Sequence, residues 1–341
     1  METMKLSQID TDLISAGWAT AIKDANLFFY PNYYKSRISE GKQCVYVFSE
    51  SYVIPVVLAR KAIFRYAFFP SEPFQYKNDN RENLEEFLTC VCSYVRQHYN
   101  IQWFNATPPS ALFMAFPAES KHIPFGSHVI DLSASEDELW AKVHSKHRNV
   151  IKKAEKDGVE IICGVNDDLI NDYHSLDVET WKRSNKGAAG LESLRKQIKE
   201  LGDNVVLYLA YLNGEPQSGA IFYYNNAMCY YMHGANCDKP HTGAGNLLQW
   251  RAILDMKAAG VKRYSFVGCR INEDENSKFH GIQRFKERFG GDLVQGYMFK
   301  VIFSPAHYAP YRFMIMALDA IQSRHFSLSK DIIDQEIRKW Q

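Results

Sequence analysis

The stretch from Thr242 to Gly291 constrains the fold of this 341-residue chain more than any other segment. It opens with Gly243 and Gly245, which directly precede a helical pattern of apolar residues that a further glycine ends. A short apolar run at 261–267 follows as a strand, and after a polar loop comes Phe-Lys-Glu-Arg-Phe-Gly-Gly at 285–291. Glycines before a helix leave backbone N–H groups open to an anion. The order predicts an α/β unit with a phosphate-binding turn beside the end of a buried strand.

The same order of glycine turn, helix, Tyr-Ser-Phe strand and Phe-Lys-x-x-Phe-Gly-Gly motif resembles the Fem-type family (FemA, FemB and FemX). A second block, from Leu139 to Gly158, looks like the basic helix at the start of the second domain in that family. Fem-type proteins are aminoacyl-tRNA-dependent transferases that extend the side peptide of peptidoglycan precursors, and they consist of two GNAT-like domains. The resemblance extends from about Val129 to Tyr308. It departs from the family at Ser265, where Asp is usual, so no acidic role carries over to this position.

The resemblance and the order of elements predict an α/β protein, with α+β mixed sheets, built from two tandem GNAT-like acyltransferase domains. Residues 1–125 read as helix, strands, helix and strand, and this order recurs at greater length in residues 126–304. The resemblance implies that the tail 305–341 folds back on the first domain. Only Gly187 to Gly190 separates two predicted helices of the second domain, so the helical-hairpin arm of some family members is expected to be absent.

Hydrophobic periodicity predicts the individual elements. Besides the helix after the glycine turn, helices are predicted over 8–22, 83–99, 136–156, 167–184, 191–201, 311–323 and 328–340. Strands are predicted over 43–48, 52–58, 62–69, 102–105, 129–132, 159–163, 205–212, 217–224, 228–234, 261–267 and 294–303.

The overall charge excludes a large field that would attract nucleic acid, because 40 basic side chains face 39 acidic ones. Any contact with the acceptor end of a tRNA must therefore be local. The seven cysteines are scattered and lack CxxC spacing, so neither a disulfide framework nor a metal site is expected. No signal peptide or membrane-spanning run is recognisable. We expect a cytoplasmic protein. The alternative is a cytoplasmic protein in peripheral contact with the inner face of the membrane.

The basic helix offers the clearest candidates for binding a polyanion. Arg148 and Lys152 lie four residues apart, and they are our choice for the pyrophosphate of a nucleotide- or lipid-linked envelope precursor. Lys35 and Arg37 of the first domain are further candidates for the same substrate. The alternative for the basic helix is a solvated helix face.

The glycine turn is the candidate site for the phosphate of the donor substrate, through Gly243, Ala244 and Gly245. The alternative is a turn that only begins the helix. Acetyl-CoA-binding GNAT proteins carry Arg or Gln three residues before the first glycine, where this chain has Pro240. No bound cofactor is expected; the donor is aminoacyl-tRNA or, in the alternative, acyl-CoA.

Lys286, in the Phe-Lys-x-x-Phe-Gly-Gly motif, is the candidate catalytic residue. A fixed ammonium group would stabilise the oxyanion that forms when an amine attacks an activated ester. The alternatives are a contact with the terminal tRNA phosphate and an ordinary exposed lysine. Tyr231, Tyr264 and Phe285 are candidates for contacting substrate. No general base is identifiable.

Three functions remain open. The first is an aminoacyltransferase that forms an amide on a cell-envelope precursor, either the peptidoglycan side peptide or an amino sugar of a surface polysaccharide. The second is an acyl-CoA-dependent N-acyltransferase acting on an amino sugar or related amine. The third is a binding module for an anionic envelope precursor without catalytic activity.

Overall fold

The structure is a computed structural model that describes residues 6–10, 25–30, 32–33, 42–77, 83–106, 108–183, 187–271, 278–323 and 332–339. The chain divides into two compact units, residues 1–126 with 295–341 and residues 127–294. The domain borders drawn from the sequence, 125/126 and 304/305, stay predictions.

The described residues form strands and helices in alternating groups. The strands are β1 (Ser7–Asp10), β2 (Gln43–Phe48), β3 (Tyr52–Lys61), β4 (Phe64–Phe68), β5 (Phe74–Gln75), β6 (Trp103–Ala106), β7 (Lys121–Asp131), β8 (Glu160–Gly164), β9 (Val205–Leu212), β10 (Glu215–Tyr224), β11 (Cys229–Asn236), β12 (Arg263–Ser265), β13 (Cys269–Arg270) and β14 (Asp292–Ile302). The helices are α1 (Leu84–Tyr99), α2 (Glu136–Lys142), α3 (Ser145–Lys156), α4 (Asp167–Arg183), α5 (Leu191–Leu201), α6 (Ala244–Ala258), α7 (Lys278–Glu287), α8 (Pro305–Ser323) and α9 (Ile332–Lys339).

The first unit has a mixed sheet in the order β1-β2-β3-β4-β6-β14, with β5 paired to β3. Its neighbours are antiparallel except β4 and β6, which are parallel. Helix α1 covers this sheet with an apolar face, and Asn83 caps its N-terminus by accepting hydrogen bonds from the N–H groups of Glu85 and Glu86. The hydrophobic core therefore lies between α1 and the sheet.

The second unit has a mixed sheet in the order β7-β12-β11-β10-β9-β8, with β13 paired to β7. The hairpin between β9 and β10 turns at Asn213 and Gly214, whose φ angles of 53° and 79° fit the Asn-Gly turn that matches strand twist. Helix α6 contacts β9 and β10 as well as α3. Because α6 is covered on these sides, Leu247, Leu248 and Ile253 are all buried in one core.

Most predicted elements are confirmed, with shifts at their ends, and the first helix is an exception. Residues 7–10 form β1, paired with β2 from Ser7 opposite Phe48, instead of the start of a helix over 8–22. Residues 11–24 lie outside the described part of the chain. Pairing with a neighbouring strand outweighs the weak helical pattern of this segment.

The predicted helix 136–156 is wrong as a single element, because it is divided into α2 and α3. Val143 is buried in an extended conformation at the break, and the N–H of His144 donates to the carbonyl of Arg288 at 2.8 Å. The His144 ring then accepts from the N–H of Lys146 and caps α3. Lys142 is consequently not on the basic helix.

The predicted strand 261–267 is also shorter than expected. Only Arg263–Ser265 pairs as β12, and the chain leaves the sheet at Val267, whose φ is 38°. Among the residues that the structure describes, no helix is both long and apolar enough to cross a membrane.

Candidate active site

Two parallel strands of the second unit diverge at the centre of its sheet. β11 and β12 pair only at Cys229 with Tyr264 and Tyr230 with Ser265. Beyond this point β11 continues along β10, with a bulge at Met232 that shifts the register between them. The sheet therefore opens into a wedge at the C-terminal end of β12.

A cavity of about 820 Å³ occupies this wedge. It is lined by residues of α4, α6, α7, β10 and β11 and of the loops before α6 and after β12, which include Thr180, Arg183, Ser218, Tyr231, Met232, Asn236, His241, Gly243, Gly245, Gln249, Val267, Ile282, Phe285 and Lys286. Open α/β sheets bind ligands at such strand ends. The sequence-predicted residues Lys286, Phe285, Tyr231, Gly243 and Gly245 are brought together here.

Lys286 lies in the wall of the cavity and is only 8% exposed. Its Nζ donates to the carbonyl oxygen of Val267 and, at 2.9 Å, to that of Gly268. Burial lowers the pKa of the ammonium group to about 8. Lys286 is thus not an ordinary exposed lysine, and its catalytic role stays a prediction.

The remainder of the Phe-Lys-x-x-Phe-Gly-Gly motif fixes the end of α7. The ring of Phe289 stacks on Phe266 with the centroids 5.2 Å apart. Gly290 has a φ of 81°, and a Cβ there would lie 2.7 Å from the carbonyl oxygen of Lys142. A side chain at Gly290 would therefore displace α7 from α2 and move Lys286.

Ser265, where the family usually has Asp, supports the turn at Val267 and Gly268 whose carbonyl groups bind Lys286. Its Oγ lies 2.9 Å from the Oγ of Ser127 and accepts a hydrogen bond from the N–H of Val267 at 3.3 Å. The hydroxyl groups are buried. Ser265 therefore positions the carbonyl groups that hold Lys286, without contributing a charge.

The glycine turn at the start of α6 allows α3 to pack closely against it and also lines the cavity. Gly243 has a φ of 90°, and a Cβ there would lie 2.1 Å from the carbonyl oxygen of Val150 in α3. Ala244 is fully buried, and its N–H donates to the carbonyl of His241 at 3.1 Å. No side chain caps the helix, and Gly245 lines the cavity. Gly245 is thus the best placed of the three for a donor phosphate, a role that stays a prediction.

The residues chosen for the acceptor pyrophosphate do not line this cavity. The Nη1 of Arg148 donates to the carbonyls of Val143 at 2.6 Å and Ala141 at 3.0 Å, which closes the C-terminal end of α2. Lys152 is exposed on α3. Lys35 and Arg37 lie outside the described residues. Their role in binding substrate stays a prediction.

Arg148 and Lys152 should respond differently to replacement. We expect Arg148→Met to lower the free energy of unfolding by about 1–3 kcal/mol, because it leaves helix-terminal carbonyls without their charged donor. Lys152→Met should leave stability within about 0.5 kcal/mol, because the side chain is exposed. Denaturant unfolding of both variants measures the difference, and equal losses would contradict a structural role specific to Arg148.

The aromatic candidates separate into two groups. Tyr231 and the half-buried Phe285 line the cavity. Tyr264 is fully buried behind the cavity wall, and its hydroxyl donates to the Oε1 of Gln249. Tyr264 does not line the cavity itself but bonds to Gln249, which does, and its contact with substrate stays a prediction.

Sequence reasoning missed several polar residues of the cavity. Gln249 follows Gly245 by four residues on α6, so helical spacing could have placed both on one face. The Nη2 of Arg183 donates to the Oγ1 of Thr180 at 3.1 Å and to the carbonyl of Asn236 at 2.8 Å. No sequence signal connects α4 with β11, because that contact depends on tertiary packing.

Comparison with known proteins shows which sequences and folds this chain is similar to. A GNAT acetyltransferase domain family matches residues 141–287. A lipid II:glycine glycyltransferase of Staphylococcus haemolyticus is 27% identical over 128 residues, which are 37% of this chain and 30% of that protein. The matched segment thus spans less than a third of the length of the curated relative.

Two solved structures show the fold. The crystal structure of FemX aligns with a TM-score of 0.67 at 12% identity, over 90% of this chain and 99% of FemX. The C-terminal domain of a putative lysylphosphatidylglycerol synthetase from Agrobacterium fabrum aligns with a TM-score of 0.52 at 11% identity, over 79% of this chain and 86% of that domain. The chain thus has a tandem GNAT-like fold similar to that of FemX, and together with the glycyltransferase and GNAT domain matches this confirms the resemblance found in the sequence.

Proposed function

We propose that the protein is an aminoacyltransferase that moves an aminoacyl group from aminoacyl-tRNA to an amine of a cell-envelope precursor. The observation that carries the proposal is the buried Lys286, held on two carbonyl groups at the end of β12 and facing a cavity that α6 enters with an uncapped N-terminus. The similarity to a lipid II:glycine glycyltransferase supports a peptidoglycan precursor as acceptor. An amino sugar of a surface polysaccharide is the other acceptor of the same chemistry.

The reaction requires one new bond and one broken bond at the same carbonyl carbon. The acceptor amine attacks the ester carbonyl, the C–N bond forms, and the C–O bond to the terminal ribose breaks. The amine loses a proton, and the ribose oxygen leaves as a hydroxyl group after gaining one. Negative charge develops on the carbonyl oxygen between these steps. A nearby ammonium group in a site with little water stabilises that charge without reorganising.

Lys286 suits this role because its position is fixed before substrate binds. Two of its three N–H groups can be occupied by the carbonyls of Val267 and Gly268, which leaves one for a ligand. At the turn both Val267 and Gly268 have positive φ angles, and the Oγ of Ser265 holds it by accepting a hydrogen bond from the N–H of Val267. The charge therefore stays in place at low conformational cost.

The donor end of the cavity carries positive potential at the start of α6. The helix has no side-chain cap at Gly243, and although the N–H of Ala244 donates to the carbonyl of His241, the N–H of Gly245 faces the cavity lining and is available to an anion. Arg183 adds a guanidinium group to the lining nearby. These groups support a terminal phosphate of the tRNA as the bound anion.

The pH dependence of activity should reveal which form of Lys286 acts. Its pKa is lowered to about 8 by burial, so kcat/KM should fall as pH rises through this value if the ammonium form is required. The falling limb should be absent in Lys286→Met. Rates measured from pH 6 to about 9.5 test this, and a limb that rises through pH 8 in a Lys286-dependent way would indicate a base instead.

The second candidate is an acyl-CoA-dependent N-acyltransferase. The match to a GNAT acetyltransferase domain over residues 141–287 favours it. Pro240 stands against it, because it occupies the position where acetyl-CoA-binding GNAT proteins have Arg or Gln before the first glycine.

One experiment separates these functions. The purified protein is offered a mixed pool of charged tRNAs and, separately, acetyl-CoA, with envelope precursors of its host as acceptors, and products are followed by mass. A gain of one amino-acid residue that ribonuclease abolishes would support the proposal and identify the amino acid. An acyl gain from CoA alone would favour the second candidate, and no gain from either would favour a binding module.

A further inference from the structure

Gln249 is a buried polar side chain in the cavity wall that has an unused donor. The residue is 2% exposed, and its Oε1 accepts a hydrogen bond from the hydroxyl of Tyr264. Among the residues that the structure describes, its Nε2 has no hydrogen-bond partner. Gln249 nevertheless lines the cavity. The Nε2 is not among the buried side-chain atoms that lack a partner, so it is accessible from the cavity, where a ligand group or water can accept its hydrogen bond.

Tyr264 determines which way the amide faces. It is fully buried and surrounded by the rings of Phe222 and Phe266, with centroids 5.8 Å and 5.1 Å away. Because its hydroxyl occupies the amide oxygen, the amide nitrogen remains as the group that can serve the cavity. Tyr264 is thus a positioning residue that acts through Gln249.

The free donor lies near the same short segment that holds Lys286. Tyr264 is in β12, and the carbonyls bound by Lys286 belong to Val267 and Gly268, directly after that strand. Gln249 also lies one helical turn, roughly 6 Å, along α6 from Gly245. The amide of Gln249 therefore lines the same cavity as Gly245 of the glycine turn and the ammonium group of Lys286.

From this placement we infer that the Nε2 of Gln249 donates a hydrogen bond to the carbonyl oxygen of the acyl group that is transferred. The inference rests on the proposed function and adds a second donor for the carbonyl beside Lys286. A single-nucleotide donor end has its phosphate and its ester carbonyl close together, as the short distance from Gly245 to Gln249 requires. The pantetheine arm of CoA separates phosphate and carbonyl by a much longer chain.

Binding of stable donor mimics tests this inference without turnover. The carbonyl-bearing probe is 3′-glycylamido-3′-deoxyadenosine 5′-phosphate, and the control probe is 3′-amino-3′-deoxyadenosine 5′-phosphate, which lacks the acyl group. Gln249→Met should weaken the first probe about tenfold in calorimetry and leave the second unchanged. Equal loss of both probes, or loss of neither, would overturn the inference.

A double-mutant cycle tests the positioning role of Tyr264. Tyr264→Phe should weaken the carbonyl-bearing probe by a smaller factor, because the amide is present but no longer fixed. Adding Tyr264→Phe to Gln249→Met should cause no further loss, and the double variant leaves no buried hydroxyl without its acceptor. Additive losses would show that Tyr264 acts independently of Gln249.

Failure of the inference and failure of the proposed function give different results. If the wild-type protein transfers from aminoacyl-tRNA but Gln249→Met binds both probes normally, only the inference is wrong. If the wild-type protein binds neither probe and transfers from no charged tRNA, the proposed function is wrong as well.

Discussion

Lys286→Met should lower kcat by about 10²–10³-fold, the loss seen when one oxyanion donor is removed from an active site. Methionine is close to lysine in length and shape, so the wall of the cavity should remain filled. What disappears is the charge that Nζ brings to the carbonyl groups of Val267 and Gly268 and to the cavity. Single-turnover rates with saturating donor and acceptor measure the chemical step separately from binding.

The stability of Lys286→Met should differ little from that of the wild type at pH 7. The replacement leaves the carbonyls of Val267 and Gly268 without a donor, a cost of about 1–3 kcal/mol. It also removes a buried ammonium group whose pKa of about 8 lies below its unfolded value, so the folded state is disfavoured by its charge below pH 8. In the wild type this penalty decreases as pH rises from about 8 toward 10.5, and the variant should lack that increase in stability.

Lys257→Met is a matched control. The Nζ of Lys257 also donates to a backbone carbonyl, that of Leu132 at 3.0 Å, but Lys257 does not line the cavity. It should lose a similar hydrogen bond and retain activity. Activity of Lys286→Met within tenfold of the wild type, in protein that unfolds normally, would contradict a catalytic role for Lys286.

The position of Lys286 shows where sequence reasoning stops. Helical spacing predicts Phe285 and Phe289 on one face of a helix and Lys286 about 100° away from Phe285, which suggests that the lysine faces solvent. In the structure the segment after β12 covers that second face, because Val267 and Gly268 turn out of the sheet with positive φ angles. Hydrophobic periodicity describes one helix at a time and does not indicate which distant segment packs against it.

The break between α2 and α3 was also missed because it depends on a contact with a distant part of the chain. The pattern from Glu136 to Lys156 is continuous, yet the N–H of His144 pairs with the carbonyl of Arg288, which lies far along the chain. Arg148 then satisfies the carbonyls left at the end of α2. Arg148, which the sequence suggested for a phosphate, thus bonds to the protein's own backbone. The strands β9, β10 and β11 were predicted well because their apolar pattern and their turns are local.

Gly243→Ala and Gly245→Ala should separate packing from anion binding in the turn that the sequence left ambiguous. At Gly243 a Cβ would lie 2.1 Å from the carbonyl oxygen of Val150 at a φ of 90°. Backbone strain and the displacement of α3 should together lower the free energy of unfolding by roughly 3 kcal/mol or more. At Gly245 a Cβ would lie 3.2 Å from the Oγ of Ser218 and 3.9 Å from the Oδ1 of Asn236, with no backbone atom so close, and alanine favours the helix.

Gly245→Ala should therefore fold with wild-type stability and raise KM for the donor about tenfold, because its methyl group obstructs an anion at the first turn of α6. Denaturant unfolding and donor titration of both variants provide the measurement. Unchanged donor KM in a stable Gly245→Ala would mean that the turn only begins the helix. The phosphate would then have to be held by Arg183 or by groups outside α6, since Ala244 already donates to His241 and Gly243 is required for the approach of α3.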